Sequence, residues 1–573
     1  MVQRALPPIL LAAVLLGSGC QGAVPAAPAA AAPAAGTASA GTTLAAPVTS
    51  GSGAAVSPPA PTAPGAPRLF YTDLVSGPNA GGENGQGVYV SLYGRGFGAS
   101  RGTATVTVGG GAVASYPIWT DAKITVQLGP LAATGSIVVH GALGDSDGLP
   151  FTVRAGTIAF VATNGDDTAS GSFAAPWKTL SHAVDTVAAG DTVYARDGVT
   201  QAVEHAYSAA LSISTDGTQA APIALVAYPG AKVTVGSPTL MGIRIPNVGV
   251  SGSYWVIAGL TIVAQDTAIS LGGNGALGWR IVANDCSAPA GTGLTGCVET
   301  SAAQYVSFLG NEVHDSGAGG TKFYHAVYFS TDTNHVECAW NDIHDNRTCR
   351  AIQFHSSPLG GATGFNQFDL SCHDNVIHGT IGDGINFATV DPSQGKVEAY
   401  NNVIYHVGTG PDPADGATDY ACVYVAGTTN NGADGTGTVE VYNNTCYDFG
   451  GLTTSSDAGC FSRSSASPGI VLHLVNNIVY ARNGEAYVAG SSDTSLMTGS
   501  NNLFFGNGPG PSFLAGNVNA DPLFTSLATF DFSLTATSPT VDAGLTTAAL
   551  WDVAGVPRPQ GSGWDIGAYE LPK

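Results

Sequence analysis

Between residues 88 and 141 apolar and polar side chains alternate in short runs, VYVSLYGRGFG (88–98), TATVTVGG (103–110), ITVQL (124–128) and GSIVVHG (135–141), separated by Gly-rich turns. A period of two predicts half-buried strands of an antiparallel sandwich. The pattern then changes. In PWKTLSHAVDTVAAGDTVYARDG (176–198), Leu180, Ala183, Val184 and Val187 share one face of a single short helix, and TVYAR (192–196) follows as a strand. Farther on, an Asn-led unit recurs as NDC (284–286), NEVHD (311–315), NDIHD (341–345), NVIHG (375–379), NVIYH (402–406), NTCYD (444–448), NIVYA (477–481) and NLFFG (502–506). Successive Asn residues lie 25 to 42 positions apart, a solenoid period with one coil per repeat. Stacked at the ~4.7 Å spacing of parallel strands, Asn284 through Asn502 would form an amide ladder.

A second alignment places candidate chemistry. HAVYFS (325–330), RAIQFH (350–355), DGINFA (383–388) and ACVYVA (421–426) share apolar third and fifth positions. Val327, Phe329, Ile352, Phe354, Ile385, Phe387, Val423 and Val425 should therefore point inward, and the alternating positions outward. This predicts an exposed column of Tyr328, Gln353, Asn386 and Tyr424, and a second of Ser330, His355 and Ala388. His325, Arg350 and Asp383 stand at the entrance to the rungs, with Lys322 one turn earlier. A third column, His314, His344 and His378, continues as Tyr405, Tyr447, Tyr480 and Phe505. That progression reads as an aromatic stack rather than a metal site.

The 573 residues carry 41 acidic against 19 basic side chains, a net charge of −22. So few cations argue against a nucleic-acid partner or a membrane held by a basic face. At the N-terminus Arg4 precedes the apolar run Ile9 to Leu16, then Gly17, Ser18, Gly19 and Cys20, an export signal too short to span a bilayer. Residues 20–66 are rich in Ala, Pro, Gly, Thr and Ser and form an extended tether. Eight further cysteines, Cys286, Cys297, Cys338, Cys349, Cys372, Cys422, Cys446 and Cys460, suggest disulfides in an exported chain, with Cys286 and Cys297 the favoured close pair. No CxxC spacing is present, which argues against zinc.

Around Cys20 the sequence resembles a bacterial lipoprotein signal, which implies a signal peptide at 1–19, lipidation of Cys20 and a lipid-anchored location at the bacterial cell surface or outer membrane. Residues 67–153 resemble an IPT/TIG domain, an immunoglobulin-like module, through SGP (76–78), GRGFG (94–98), VTVGG (106–110), Trp119 and GLPFTV (148–153). Such modules serve as spacers or as binding units. FVATNGDD (160–167) and the helix after it resemble the N-terminal entry of right-handed parallel β-helix proteins of the pectate-lyase-like superfamily. NADPLF (519–524), FSLTATSPTVDAG (532–544) and GWDIGAYE (563–570) are similar to the closing segment of bacterial surface β-helix proteins. The expected fold is all-β: a right-handed parallel β-helix over 154–573, a single-stranded solenoid with a cap helix, preceded by the sandwich.

On this fold the resemblance implies a monomer that engages a polysaccharide. The Lys, Arg, His and Tyr patch suits β-elimination of a uronate, where a cation neutralises the carboxylate and a base removes the adjacent proton. Arg350 or a bound Ca²⁺ would take the first role, and Lys322, His325 or His355 the second. Tyr328, Gln353, Asp383, Asn386 and Tyr424 would bind substrate. Asp315, Asp342, Asp345, Asp374 and Asp383 offer oxygen ligands for Ca²⁺, although their spacing matches no calcium loop. The aspartate pairs of polygalacturonase-type hydrolases and the tight Asp cluster of calcium-dependent pectate lyases are both missing. A polysaccharide lyase or a related uronate epimerase or glycosidase is one expectation, and a non-catalytic glycan-binding or adhesion protein is the other.

Overall fold

A computed structural model describes residues 65–246, 251–272, 275–293, 295–318, 323–347, 350–356, 367–410, 420–427, 435–450 and 456–573. Cys20, most of the tether, Lys322 and Cys349 lie outside them. The chain after Ile158 winds through three parallel sheets in turn, of twelve, eleven and nine strands among the described residues. Sheet 1 runs from Ile158–Val161 to Met497–Ser500, sheet 2 from Thr200–Gln201 to Leu503–Phe505, and sheet 3 from Ala209–Ser212 to Gly459–Arg463. Each circuit is one coil of a parallel β-helix, right-handed as parallel crossovers are.

The core follows from the alternation. Ile257, Ile281, Phe308, Cys338, Cys372, Ala399, Val441 and Leu474 are register partners in sheet 1, all fully buried. In sheet 3 Phe329, Phe354 and Phe387 stack at 4.9 and 5.2 Å. All eight side chains expected to point inward lie in this one core. The predicted helix forms over Leu180–Thr186, where Thr179 caps it by accepting from His182 N, and Leu180, Ala183 and Val184 close the first coils. It is the only α-helix among the described residues, and no helix there is long and apolar enough to cross a membrane.

Coils turn from sheet 1 into sheet 2 through one left-handed residue. Ala283, Gly310, Trp340, Asp374, Asn401, Asn443, Asn476 and Asn501 have φ of 52 to 62°. The next residue in each coil is a rung of the amide ladder. Asn284 Nδ2 donates to Asn311 Oδ1 at 3.1 Å, and the chain of bonds continues through Asn341, Asn375, Asn402, Asn444 and Asn477 to Asn502. Each Oδ1 from Asn311 onward also accepts the backbone N–H of the preceding Asn. The ladder thus satisfies the turn backbone that no strand partner reaches.

The sandwich spans Arg68–Thr72 to Leu149–Val153 and packs on the outer face of sheet 1. Tyr194 Oη donates to Tyr89 O at 2.7 Å and accepts from Tyr89 N at 2.8 Å. Arg280 Nη2 donates to Thr72 O, and Trp340 stacks on Phe70 and lies tilted against Tyr71. Because the two domains share one apolar cluster, the module is fused to the rod. The closing segment also differs from a simple end cap, for it runs back along the corner between sheets 1 and 2. The left-handed Asn residues hold it: Asn501 donates to Ala543 O, Asn476 to Leu545 O, Asn443 to Asp565 O and Asn401 to Trp551 O. Phe532, Trp564 and Ile566 cover apolar outer residues such as Tyr447, Val475 and Ile478 that would otherwise face water.

The expected disulfides are corrected. Cys286, Cys297, Cys338, Cys372, Cys422, Cys446 and Cys460 are free thiols, each fully buried. They occupy inward positions of the coils and serve as small core residues, as Cys338 and Cys372 do side by side in sheet 1.

Candidate functional site

Sheet 3 builds the expected face in register. His325 pairs with Arg350 and Arg350 with Asp383, while Tyr328, Gln353, Asn386 and Tyr424 pair in sequence. Ser330 pairs with His355. One expectation fails: the column does leave the core, but it is not exposed. Tyr328 is 5% exposed, Gln353 4% and Asn386 0%, and Arg350, His325 and Asp383 are also buried. Arg350, Asp383 and Asn386 turn polar atoms to one another instead of to water. Tyr424 and His355 are half-buried.

Asp383 is the hub. Its Oδ2 accepts from Arg350 Nε at 2.9 Å and from Asn386 Nδ2 at 2.7 Å, and its Oδ1 accepts from Ala421 N at 2.6 Å. Burial raises its carboxyl above the ordinary range, and Arg350, Asn386 and the Ala421 amide oppose that rise. Tyr328 Oη and His355 Nδ1 lie 3.3 Å apart, and the His325 ring meets Tyr328 edge-on at 4.9 Å. Burial, with Arg350 beside it, pushes His355 down to about 4. Burial, Arg350 and His355 hold His325 well below the usual imidazole range. Both imidazoles are therefore held toward the neutral form. Burial pushes Tyr328 up to about 12.

Three polar atoms on this face, His325 Nδ1, Gln353 Oε1 and Asn386 Oδ1, are buried with no hydrogen-bond partner among the described residues. Each orphaned group costs on the order of 1–3 kcal/mol. They sit on three successive coils, and two are acceptors awaiting a donor.

The same column continues one coil earlier with Glu299, which pairs with Tyr328, and before that with Ser270 and Arg244. Burial pushes Glu299 up to about 7, helped by Asp266 and opposed by Arg244. Sequence reading missed it because the rung GCVETS (296–301) carries Thr300 where later rungs carry Phe. Its Val298 and the period of two could have found it.

Among the described residues the aspartates named for Ca²⁺ do not converge as one group of ligands. Both oxygens of Asp383 are engaged, Asp315 and Asp345 bind His314 and His344, and Asp374 binds His373 and Asn401. Asp342 lies against His378. The His column stacks as expected, with His314, His344, His378 and Tyr405 at 5.4, 5.0 and 4.8 Å. Tyr447, Tyr480 and Phe505 continue it edge-on.

Comparison with known proteins agrees with the architecture. Residues 159–317 match the model of the Pel9A-like right-handed β-helix region, and residues 73–153 match the IPT/TIG domain. The fold is thus a right-handed parallel β-helix carrying an IPT/TIG sandwich. Similar solved structures include pectate lyase Pel9A, with 14% identity over 73% of this chain and 96% of that one and a TM-score of 0.41. A rhamnogalacturonan lyase has 15% identity over 62% and 75% of the two chains and a TM-score of 0.35. The family 28 exopolygalacturonase of Yersinia enterocolitica has 11% identity over 80% and 99%, at 0.34. A search of curated proteins gave no match. At these levels the likeness is one of fold, and it assigns no residue a role.

Proposed function

We propose that this protein is a carbohydrate-active protein of the cell envelope that engages a uronate-containing glycan on the outer face of sheet 3. The observation that carries the reading is the set of three orphaned atoms, His325 Nδ1, Gln353 Oε1 and Asn386 Oδ1, beside a guanidinium. The half-buried Tyr424 and His355 give a sugar its contact with this face, and a uronic carboxylate suits the Arg350 guanidinium of the same rungs. In the catalytic form of this reading Arg350 draws charge from the carboxylate. Neutral His355 or His325, or Lys322, takes the proton in a β-elimination, and Tyr424 lines the same column. Export by the N-terminal signal, with lipid on Cys20, places a monomer at the bacterial surface.

A second reading, glycan binding without turnover, is favoured by one feature: Asp383 already balances the Arg350 charge at 2.9 Å. The two readings separate on incubation with pectic, alginate, glycosaminoglycan and neutral polysaccharides, with and without Ca²⁺. Unsaturated uronate absorbance establishes elimination, and shorter products without it establish hydrolysis. Retention on one glycan without product establishes a binding protein. Neither product nor retention on any glycan refutes the proposal.

A further inference from the structure

Besides this face, one group of side chains converges without a role. Cys422 and Cys460 occupy matching places in the adjacent strands Ala421–Val425 and Gly459–Arg463 of sheet 3. Cys446 enters from sheet 2 in the strand Thr445–Phe449, between Ile404 and Val479. All three are fully buried, and their Sγ atoms lie within 4.8 Å of one another. Packing alone does not ask for this. At the sheet 3 position other coils carry Ala326, Ala351 and Gly384, and at the sheet 2 position Val313, Ile343 and Ile377. Cys286 and Cys297 repeat the pair in an earlier coil, but there no third thiol joins them among the described residues.

We propose that Cys422, Cys446 and Cys460 form a binding site for a soft d¹⁰ cation, Cu(I), inside the β-helix. Three thiolates from two sheets define a trigonal donor set, and soft sulfur selects copper(I) over hard cations. A structural zinc wants a fourth ligand, and among the described residues no fourth His, Cys, Asp or Glu joins the three. The three thiols give up their protons as the ion enters. No oxidant is required, because copper enters and stays as Cu(I). Residues 486–489 close over Cys460 and Phe461, so the ion is loaded as the last coils fold. CxxC spacing fails to reveal the site, because the ligands come from two consecutive coils.

The test is anaerobic refolding of the full-length chain with Cu(I), competition of the refolded protein against a chromogenic chelator, and X-ray absorption at the copper edge. The expected result is a tightest equivalent coordinated by three sulfurs. Cys446→Ala weakens it by roughly 100-fold or more, a scale metal sites already show on losing mere supporting groups. Cys286→Ala leaves it unchanged. Failure of the wild type to hold Cu(I) against the chelator overturns the proposal, whether or not a variant folds. So does a two-sulfur site indifferent to Cys446→Ala, or a thiol titration that finds Cys446 in a disulfide with Cys422 or Cys460. Glycan binding is unaffected by any of these outcomes.

Discussion

Asn375 stands in the middle of the amide ladder and is fully buried. Its Nδ2 donates to Asn402 Oδ1 and Cys338 O, both at 2.9 Å, and its Oδ1 accepts from Asn341 N at 3.1 Å and Asn341 Nδ2 at 2.9 Å. Asn375→Ala deletes these four bonds and a weaker one from Nδ2 to Cys372 Sγ at 3.6 Å. Asn341 Nδ2 keeps Phe308 O and Asn402 Oδ1 keeps the Asn375 amide, so those two groups are not orphaned. The Asn341 backbone N–H is orphaned in a site water does not reach. At about 1 kcal/mol per lost bond and about 1–3 kcal/mol for the orphaned amide, the loss is roughly 5 kcal/mol. Equilibrium urea unfolding followed by tryptophan fluorescence measures it, with an unchanged slope required for the comparison. A loss under about 1 kcal/mol would refute the view that the ladder, rather than apolar stacking alone, holds the coils together.

Three further outcomes are expected. Tyr194→Phe strips Tyr89 N and O of their shared partner and should loosen the sandwich by about 2–3 kcal/mol, read as faster proteolysis between residues 153 and 158. His355, with a folded value of about 4 below the ordinary ~6.5, leaves stability intact above pH ~6.5 and removes it as pH falls toward 4. The loss reaches at most about 3 kcal/mol, and acid titration of His355→Gln should lack this component. His373 behaves oppositely. Burial would lower it, but Asp374 and Glu337 raise it to about 9, so its contribution is full below pH ~6.5 and is lost as pH rises through 9. Alkaline unfolding of His373→Gln should be flatter than that of wild type.

Local periodicity made much of the architecture legible. Alternation at Val327, Phe329, Ile352 and Phe354 sets which face is inside, and the Asn repeat marks a corner that the ladder then builds. The sandwich was legible in its strands, but its docking was not, since Tyr89 and Tyr194 meet across 105 positions with no repeat to announce them. The cysteines misled because export and an even count point to disulfides, whereas the seven described thiols stand free at inward core positions. At the site the register of His325, Arg350 and Asp383 was readable from alignment of the rungs. Their burial was not, because period-two alternation distinguishes inside from outside and says nothing of what polar neighbours do once outside. Glu299 escaped because its rung carries Thr300 where later rungs carry Phe, and the thiol triad because its members come from two coils.

The most direct test of the functional account compares wild type with Arg350→Ala and His355→Ala on whichever glycan the wild type holds, measuring retention and unsaturated product together. The account predicts that His355→Ala keeps retention while product falls, and that Arg350→Ala weakens both on uronate glycans but neither on neutral ones. Retention and product indifferent to both substitutions would contradict it and move the site away from this face of sheet 3.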